Sequence, residues 1–227
     1  MAQTGAGTFR AVLEDELSWR RDEVRNLRNL RPPEGSRPQL QESHRRALIV
    51  MLYAHLEGFA RFVFEQYAVA INGLRLSIKE AKPQLSAACL DDRFRGYRSS
   101  ATSDPYDPHG NRARQVMKDA ELIQAILDMQ LKYVNVPVDI VSSVESNLSP
   151  VVLRRNLALL ALDDTGFHKF ASALEGLLKL RNNIAHGKWL SLPSDPAFRK
   201  LEDRIFDLCE TLMRAVYESV RDEAYRR

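Results

Sequence analysis

Apolar residues recur every three or four positions along most of this chain, the period of an amphipathic α-helix. Phe9, Val12, Leu13, Leu17, Val24 and Leu27 mark a first helix, with Thr8 placed to cap it and Pro32-Pro33 to end it near Leu30. Leu48, Met51, Leu52, Phe59, Phe62, Val63, Tyr67 and Ile71 mark a longer second helix, from Pro38 or Gln39 to Asn72-Gly73, with Gly73 as its stop signal. The next region is mixed. From Asp91 to Arg114 the turn formers Gly96, Ser99-Ser100, Ser103-Asp104-Pro105 and Asp107-Pro108 predict one long loop, ordered or mobile. Helical spacing resumes over about 114–131, with Val116, Ile123, Ile126, Leu127 and Leu131. Val134 to Val138 then reads as extended chain, because Pro137 disfavours helix at Val136.

Ser149-Pro150 supplies an N-cap and a proline at the first helical position, opening a short helix to about Leu162. Asp163-Asp164-Thr165 starts the next helix, which Gly187 ends. Pro193 and the Ser194-Asp195-Pro196 turn lead into a last helix with Phe198, Leu201, Ile205, Leu208, Leu212, Val216 and Val220 on one face. There is no internal repeat and no low-complexity tract. The pattern predicts an all-α fold, a bundle of about five to seven helices with the one inserted loop at about 91–114. The length of 227 residues fits a single domain. Within it, 1–37 form an N-terminal helix and linker, 38–190 the core and 194–227 the C-terminal helix.

Composition narrows the setting more than the function. A net charge of +3 is too small to announce a nucleic-acid binder, so local clusters must carry that argument. Two cysteines, Cys89 and Cys209, are too few for a disulfide framework and lack metal-ligand spacing, which favours a reducing, cytoplasmic setting. Cys209 falls on an apolar stripe and is expected in the core. The longest apolar run, Ala47 to Ala54, is far shorter than a membrane span, and no secretion signal opens the chain. No membrane partner is expected.

Candidate chemistry concentrates in Leu180-Arg181-Asn182-Asn183-Ile184-Ala185-His186-Gly187. A guanidinium is a fixed cation shaped to hold phosphate oxygens, and an imidazole moves a proton near neutral pH. At about 100° per residue, Arg181 falls inside the apolar stripe of Phe170, Leu174, Leu177, Leu178 and Ile184. Its stem can cover the core while its head reaches solvent or a buried carboxylate. Asn182 and His186 share another face, and Arg181 and His186 diverge by roughly 140° on an ideal helix. Both reach one target only if the arginine wraps around, the last turn opens, or a second copy completes the site. A histidine at a helix C-terminus also suits the helix dipole without any chemistry.

Other residues compete for roles. Glu57 could pair with Arg181, orient His186 or cap local charge, and a supporting role is preferred over direct catalysis. His55 lies on the second helix's apolar stripe and reads as a hydrogen-bonded core histidine, with no partner spacing for a metal. Arg93-Phe94-Arg95-Gly96-Tyr97-Arg98 interleaves cations with aromatics, the composition that grips a phosphate backbone and stacks on unpaired bases. Aspartates around it make an ordinary solvated loop an equal reading. Lys188 could contact RNA phosphate or be a plain surface lysine. No Walker loop, Gly-x-Ser-x-Gly elbow or His-Glu-x-x-His motif occurs.

The Arg181-to-His186 stretch resembles the Arg-x4–6-His motif of HEPN domains. With Leu52-Tyr53-Ala54-His55-Leu56-Glu57-Gly58-Phe59 and Val144-Glu145-Ser146-Asn147-Leu148-Ser149, the chain resembles the RiboL-PSP-associated HEPN type over most of residues 40–190. The resemblance implies a small all-α bundle and, for many members, a metal-independent endoribonuclease that uses no cofactor and acts as a toxin or in phage defence. It implies RNA as substrate, an active site assembled at a homodimer interface, and a cognate antitoxin or defence partner. It also places Arg181, Asn182 and His186 in the catalytic positions. The alternative is a non-catalytic module that binds RNA or nucleotide, or serves as a scaffold.

Overall fold

Two long amphipathic helices open the chain, α1 (Ala2–Asn29) and α2 (Pro38–Gly73). The computed structural model describes residues 2–33, 35–99, 108–130, 132–139, 147–188 and 191–227. α3 (Pro83–Cys89), α4 (Asp91–Ser99), α5 (Pro108–Met129) and α6 (Pro150–Leu159) follow. A 3-10 turn (Thr165–Phe170) then leads into α7 (Ala171–Ala185), and α8 (Asp195–Arg221) closes the fold. The fold is all-α.

α2 is the central element because both flanks of its surface are apolar. It packs against α8, α1 and α7, while α1 and α7 each lie against α8. Leu52, Phe59, Val63, Tyr67 and Ile71 are buried along it, and Leu208, Cys209, Leu212 and Val216 answer from α8. Among the described residues α2 is long and apolar enough to cross a bilayer, although its local apolar run is short. Its stripe is occupied by packing inside the bundle. α7 runs antiparallel to α8: Arg204 Nη2 donates to the Lys169 carbonyl at 2.6 Å, beside the start of α7, and the chain turns back between Ala185 and Asp195.

Several boundaries follow from identifiable caps. Pro38 sits in the first turn of α2. Ser149 accepts a hydrogen bond from Val152 N–H at 3.2 Å, opening α6 as its sequence predicts, and Ser194 does the same for Ala197 N–H at 3.4 Å in α8. Val134 to Pro137 are non-helical, and the Asn72 amide holds both the N–H and the carbonyl of Val136, at 2.7 and 2.9 Å.

Other expectations fail for physical reasons. Thr8 does not open α1, which begins before it; two glycines cost a helix only about 1 kcal/mol each and do not stop it. Gly73 ends α2, but the left-handed residue that reverses the chain is Arg75, at φ +48°. The region expected as one loop at 91–114 contains α4 and the first turns of α5, and with α3 it raises the described α-helices to eight rather than five to seven. In α4, Asp91 and Asp92 stand in the first turn and Arg98 in the last, complementing the helix dipole, and Arg95 pairs with Asp91 one turn away. Pro108, taken for a turn former, starts α5 from within its first turn, where its missing N–H costs no hydrogen bond. Residues 100–107, which include Ser103-Asp104-Pro105, lie outside the described residues, as do Leu131 and 140–146. Ahead of α7, Asp163 accepts from both Thr165 N–H and its hydroxyl, at 3.1 and 2.7 Å, so the chain enters a tight 3-10 turn before the α-helix.

Candidate active site

The motif occupies the last turn of α7, which ends in a Schellman cap. Gly187 adopts φ +65°, its N–H donates to Ile184 O at 3.0 Å, and Lys188 N–H donates to Asn183 O at 2.9 Å. His186 N–H still bonds Asn182 O at 3.0 Å, so the last turn stays closed. The His186 side chain is exposed, and its ring has no hydrogen-bond or ionic partner among the described residues.

Arg181 points the other way and is half-buried. Its Nη1 donates to Asn147 Oδ1 and to Asn182 Oδ1, each at 2.9 Å, and its guanidinium carbon stands 5.0 Å from the Tyr53 ring centroid. Tyr53 is itself fixed. Its hydroxyl accepts from the buried Leu148 N–H at 2.6 Å and donates to Glu57. Burial, reinforced by the Glu57 charge, pushes the Tyr53 phenol far above its ordinary value and keeps it a neutral donor.

Three distant segments therefore meet. α2 contributes Tyr53 and Glu57, the turn before α6 contributes Asn147 and Leu148, and α7 contributes Arg181 and Asn182. The buried carboxylate considered for Arg181 is absent among the described residues. Amide oxygens and an aromatic face hold the guanidinium instead, and these orient it without neutralising it. Nε and Nη2 of Arg181 have no partner among the described residues and can take two oxygens of an anion.

Glu57 is half-buried and reaches this group through Tyr53. The apolar residues of Arg181's stripe behave as the spacing predicts, with Leu174 and Leu177 buried and Leu178 and Ile184 packed against the core. The His186 ring does not join Arg181 within one chain: the regular helix carries them apart. Lys188 is exposed just past the cap. Arg93, Arg95 and Arg98 are exposed on α4, which packs chiefly on α5, with Tyr97 O–H donating to Asp119 at 2.6 Å. Arg95 is engaged with Asp91.

Two residues of the site, Tyr53 and Asn147, carry no role in the sequence reading although both lie in segments that it singles out. Their signal is positional: a tyrosine one turn before Glu57, and an asparagine two residues before an N-cap. Val144-Glu145-Ser146 of the same segment lies outside the described residues. The 52–59 segment also serves a second face. His55 is buried at 5 % exposure, meets Trp19 edge-on with ring centroids 5.5 Å apart, and lies 3.1 Å from Glu23 Oε2. That contact lacks hydrogen-bond alignment, so His55 is a core histidine without the expected bond at Nε2. Burial lowers its pKa, more than the Glu23 carboxylate raises it. Gly58 admits Arg20, whose Nη1 would stand 2.7 Å from any Cβ placed there. Among the described residues no three His, Cys, Asp or Glu side chains gather as metal ligands.

Among family models, that of RiboL-PSP-HEPN matches residues 15–222. Comparison with curated proteins and with solved structures gives no match.

Proposed function

Because the chain belongs to the RiboL-PSP-HEPN family, we propose that it is a metal-independent RNA endonuclease whose catalytic residues are Arg181, Asn182 and His186. The observation that carries this reading is a guanidinium held, among the described residues, by neutral partners only, five residues before an exposed histidine that has no partner among them. His186 takes the proton of the ribose 2′-hydroxyl or delivers one to the leaving 5′-oxygen. Arg181 holds the phosphate oxygens as negative charge builds on them. Asn182 fixes the guanidinium through its Oδ1. The products are a 2′,3′-cyclic phosphate and a 5′-hydroxyl, and the reaction uses no cofactor.

The divergence of Arg181 and His186 favours a site completed by a second copy, with the motif turns of two chains near a two-fold axis. A toxin or phage-defence effector, restrained by an antitoxin or other partner protein in the cytoplasm, is the biological role that suits an RNA-cutting activity of this family. The same divergence favours a second reading, a non-catalytic RNA- or nucleotide-binding or scaffold module, should the protein remain monomeric.

The test is cleavage of RNA by the purified protein beside its His186→Ala variant. The variant is expected to melt like the wild type and to lose about 10²–10⁴ in rate, the usual scale of general acid–base loss. Equal cleavage by both, or none by a wild type that light scattering shows to be dimeric, rejects the nuclease reading. RNA binding without cleavage supports the second reading.

A further inference from the structure

Where α1 ends and α2 and α8 begin, the bundle holds a pocket of about 270 Å³ whose walls include Arg28, Arg31, His44, Arg45, Asp195 and Arg199. Among the described residues its charges do not balance. Arg28 Nη1 holds both oxygens of the buried Glu202, at 2.8 and 2.7 Å. Arg31 and Arg45 share the single carboxylate of Asp195, at 2.8 and 2.9 Å. Arg199 is exposed and has no ion pair among the described residues. Among the described residues, four guanidiniums thus meet two carboxylates.

Donors are left over as well as charge. Arg28 Nε and Nη2, Arg31 Nη2 and Arg45 Nη1 have no partner among the described residues, because one or two nitrogens of each side chain make all its bonds. His44 is committed, its Nε2 lying 2.9 Å from the Leu27 carbonyl. Planar guanidinium forks match the oxygens of a phosphate. The volume falls just below the range of about 300–1,000 Å³ that accepts drug-sized ligands, which suits a phosphate with its sugar better than a bulky cofactor.

Position supplies the ligand's source. α7 and α8 are antiparallel neighbours, so His186 and Asp195 lie at the same end of the bundle. The chain between them can span no more than about 30 Å even when fully extended. We propose that this pocket binds a backbone phosphate of an RNA strand, a few nucleotides from the phosphate held at Arg181. The ligand assignment rests on the RNA reading above, but binding at the pocket requires no cleavage.

The probe is a fluorescein-labelled, mixed-sequence 2′-O-methyl oligonucleotide, which lacks the 2′-hydroxyl and cannot be cut, read by anisotropy over a salt series. Arg199→Glu is expected to weaken binding roughly tenfold and to lower the salt slope by about 1, the signature of one lost phosphate contact. Arg61→Glu makes the same charge change on an exposed part of α2, where Arg61 pairs with Glu65, and is expected to leave affinity near the wild-type value. Arg31→Gln/Arg199→Gln, which leaves Arg45 on Asp195, is expected to follow Arg199→Glu. Identical affinities for Arg199→Glu and Arg61→Glu, or no oligonucleotide binding at all, overturn the proposal. Stabilisation of the wild type by inorganic phosphate without any Arg199 effect on the oligonucleotide also overturns it, and assigns the pocket to free phosphate. Arg199-dependent binding in a protein that cuts no RNA upholds the pocket while the nuclease reading falls.

Discussion

Arg181 carries the charge that meets the phosphate in the proposed reaction. Amide oxygens and a ring face hold it where a carboxylate would have cancelled its charge. Arg181→Lys keeps the charge and much of the stem but loses the planar fork. It is expected to fold normally and to lose roughly 10²–10³ in turnover, by analogy with removal of one oxyanion donor. Single-turnover cleavage at saturating enzyme beside a thermal melt checks this. Unchanged cleavage with a lowered melting temperature would assign Arg181 to the core alone. Tyr53 is the residue beneath it. Tyr53→Phe keeps the ring under the guanidinium but strips the acceptor from the buried Leu148 N–H, at an expected cost of about 1–3 kcal/mol. Urea unfolding measures it, and an unmoved midpoint would mean that water replaces the phenol.

Element ends decide what each helix presents. Gly187 is the left-handed residue that stops α7 directly after His186, and nothing lies within 4 Å of a Cβ built on it. Any effect of Gly187→Ala is therefore backbone strain, about 1–2 kcal/mol for a side chain in that conformation. That strain is relieved by unwinding the cap, so cleavage is expected to fall while global melting shifts little. Faster amide exchange at Lys188, whose N–H closes the cap, is the direct readout. The helices also show where residue patterns mislead. Gly96 and Ser99 signal a turn, yet α4 forms because dipole-matched charges and the Arg95–Asp91 pair outweigh one glycine. Tyr97 then fastens it to α5.

At the scale of the whole molecule, the α1/α2 seam carries a pH dependence. His55 is buried against Trp19, and desolvation holds its pKa below the ordinary value despite Glu23. Well above about pH 6.5 the imidazole is neutral in both folded and unfolded chains, and its contribution is fully present. Below that, the unfolded chain takes the proton first, so stability falls as pH drops toward the depressed folded value. His55→Phe is expected to flatten the loss of melting temperature between about pH 7.5 and about pH 5.5. An equally steep loss in the variant would place the acid sensitivity elsewhere.

The chain alone determined the stripes of α2 and α8, the serine cap of α6 and the turn that carries Arg181 and His186. These depend on neighbours within one or two helical turns, which the sequence writes in order. Only the tertiary structure decided that Asn147 meets Arg181 across 34 positions, that Tyr53 meets Leu148 across 95, and that Arg31 and Arg45 share Asp195. Such contacts depend on which helices lie side by side and in what register. Periodicity identifies the face that a helix buries, but the partner is chosen by packing the whole bundle at once.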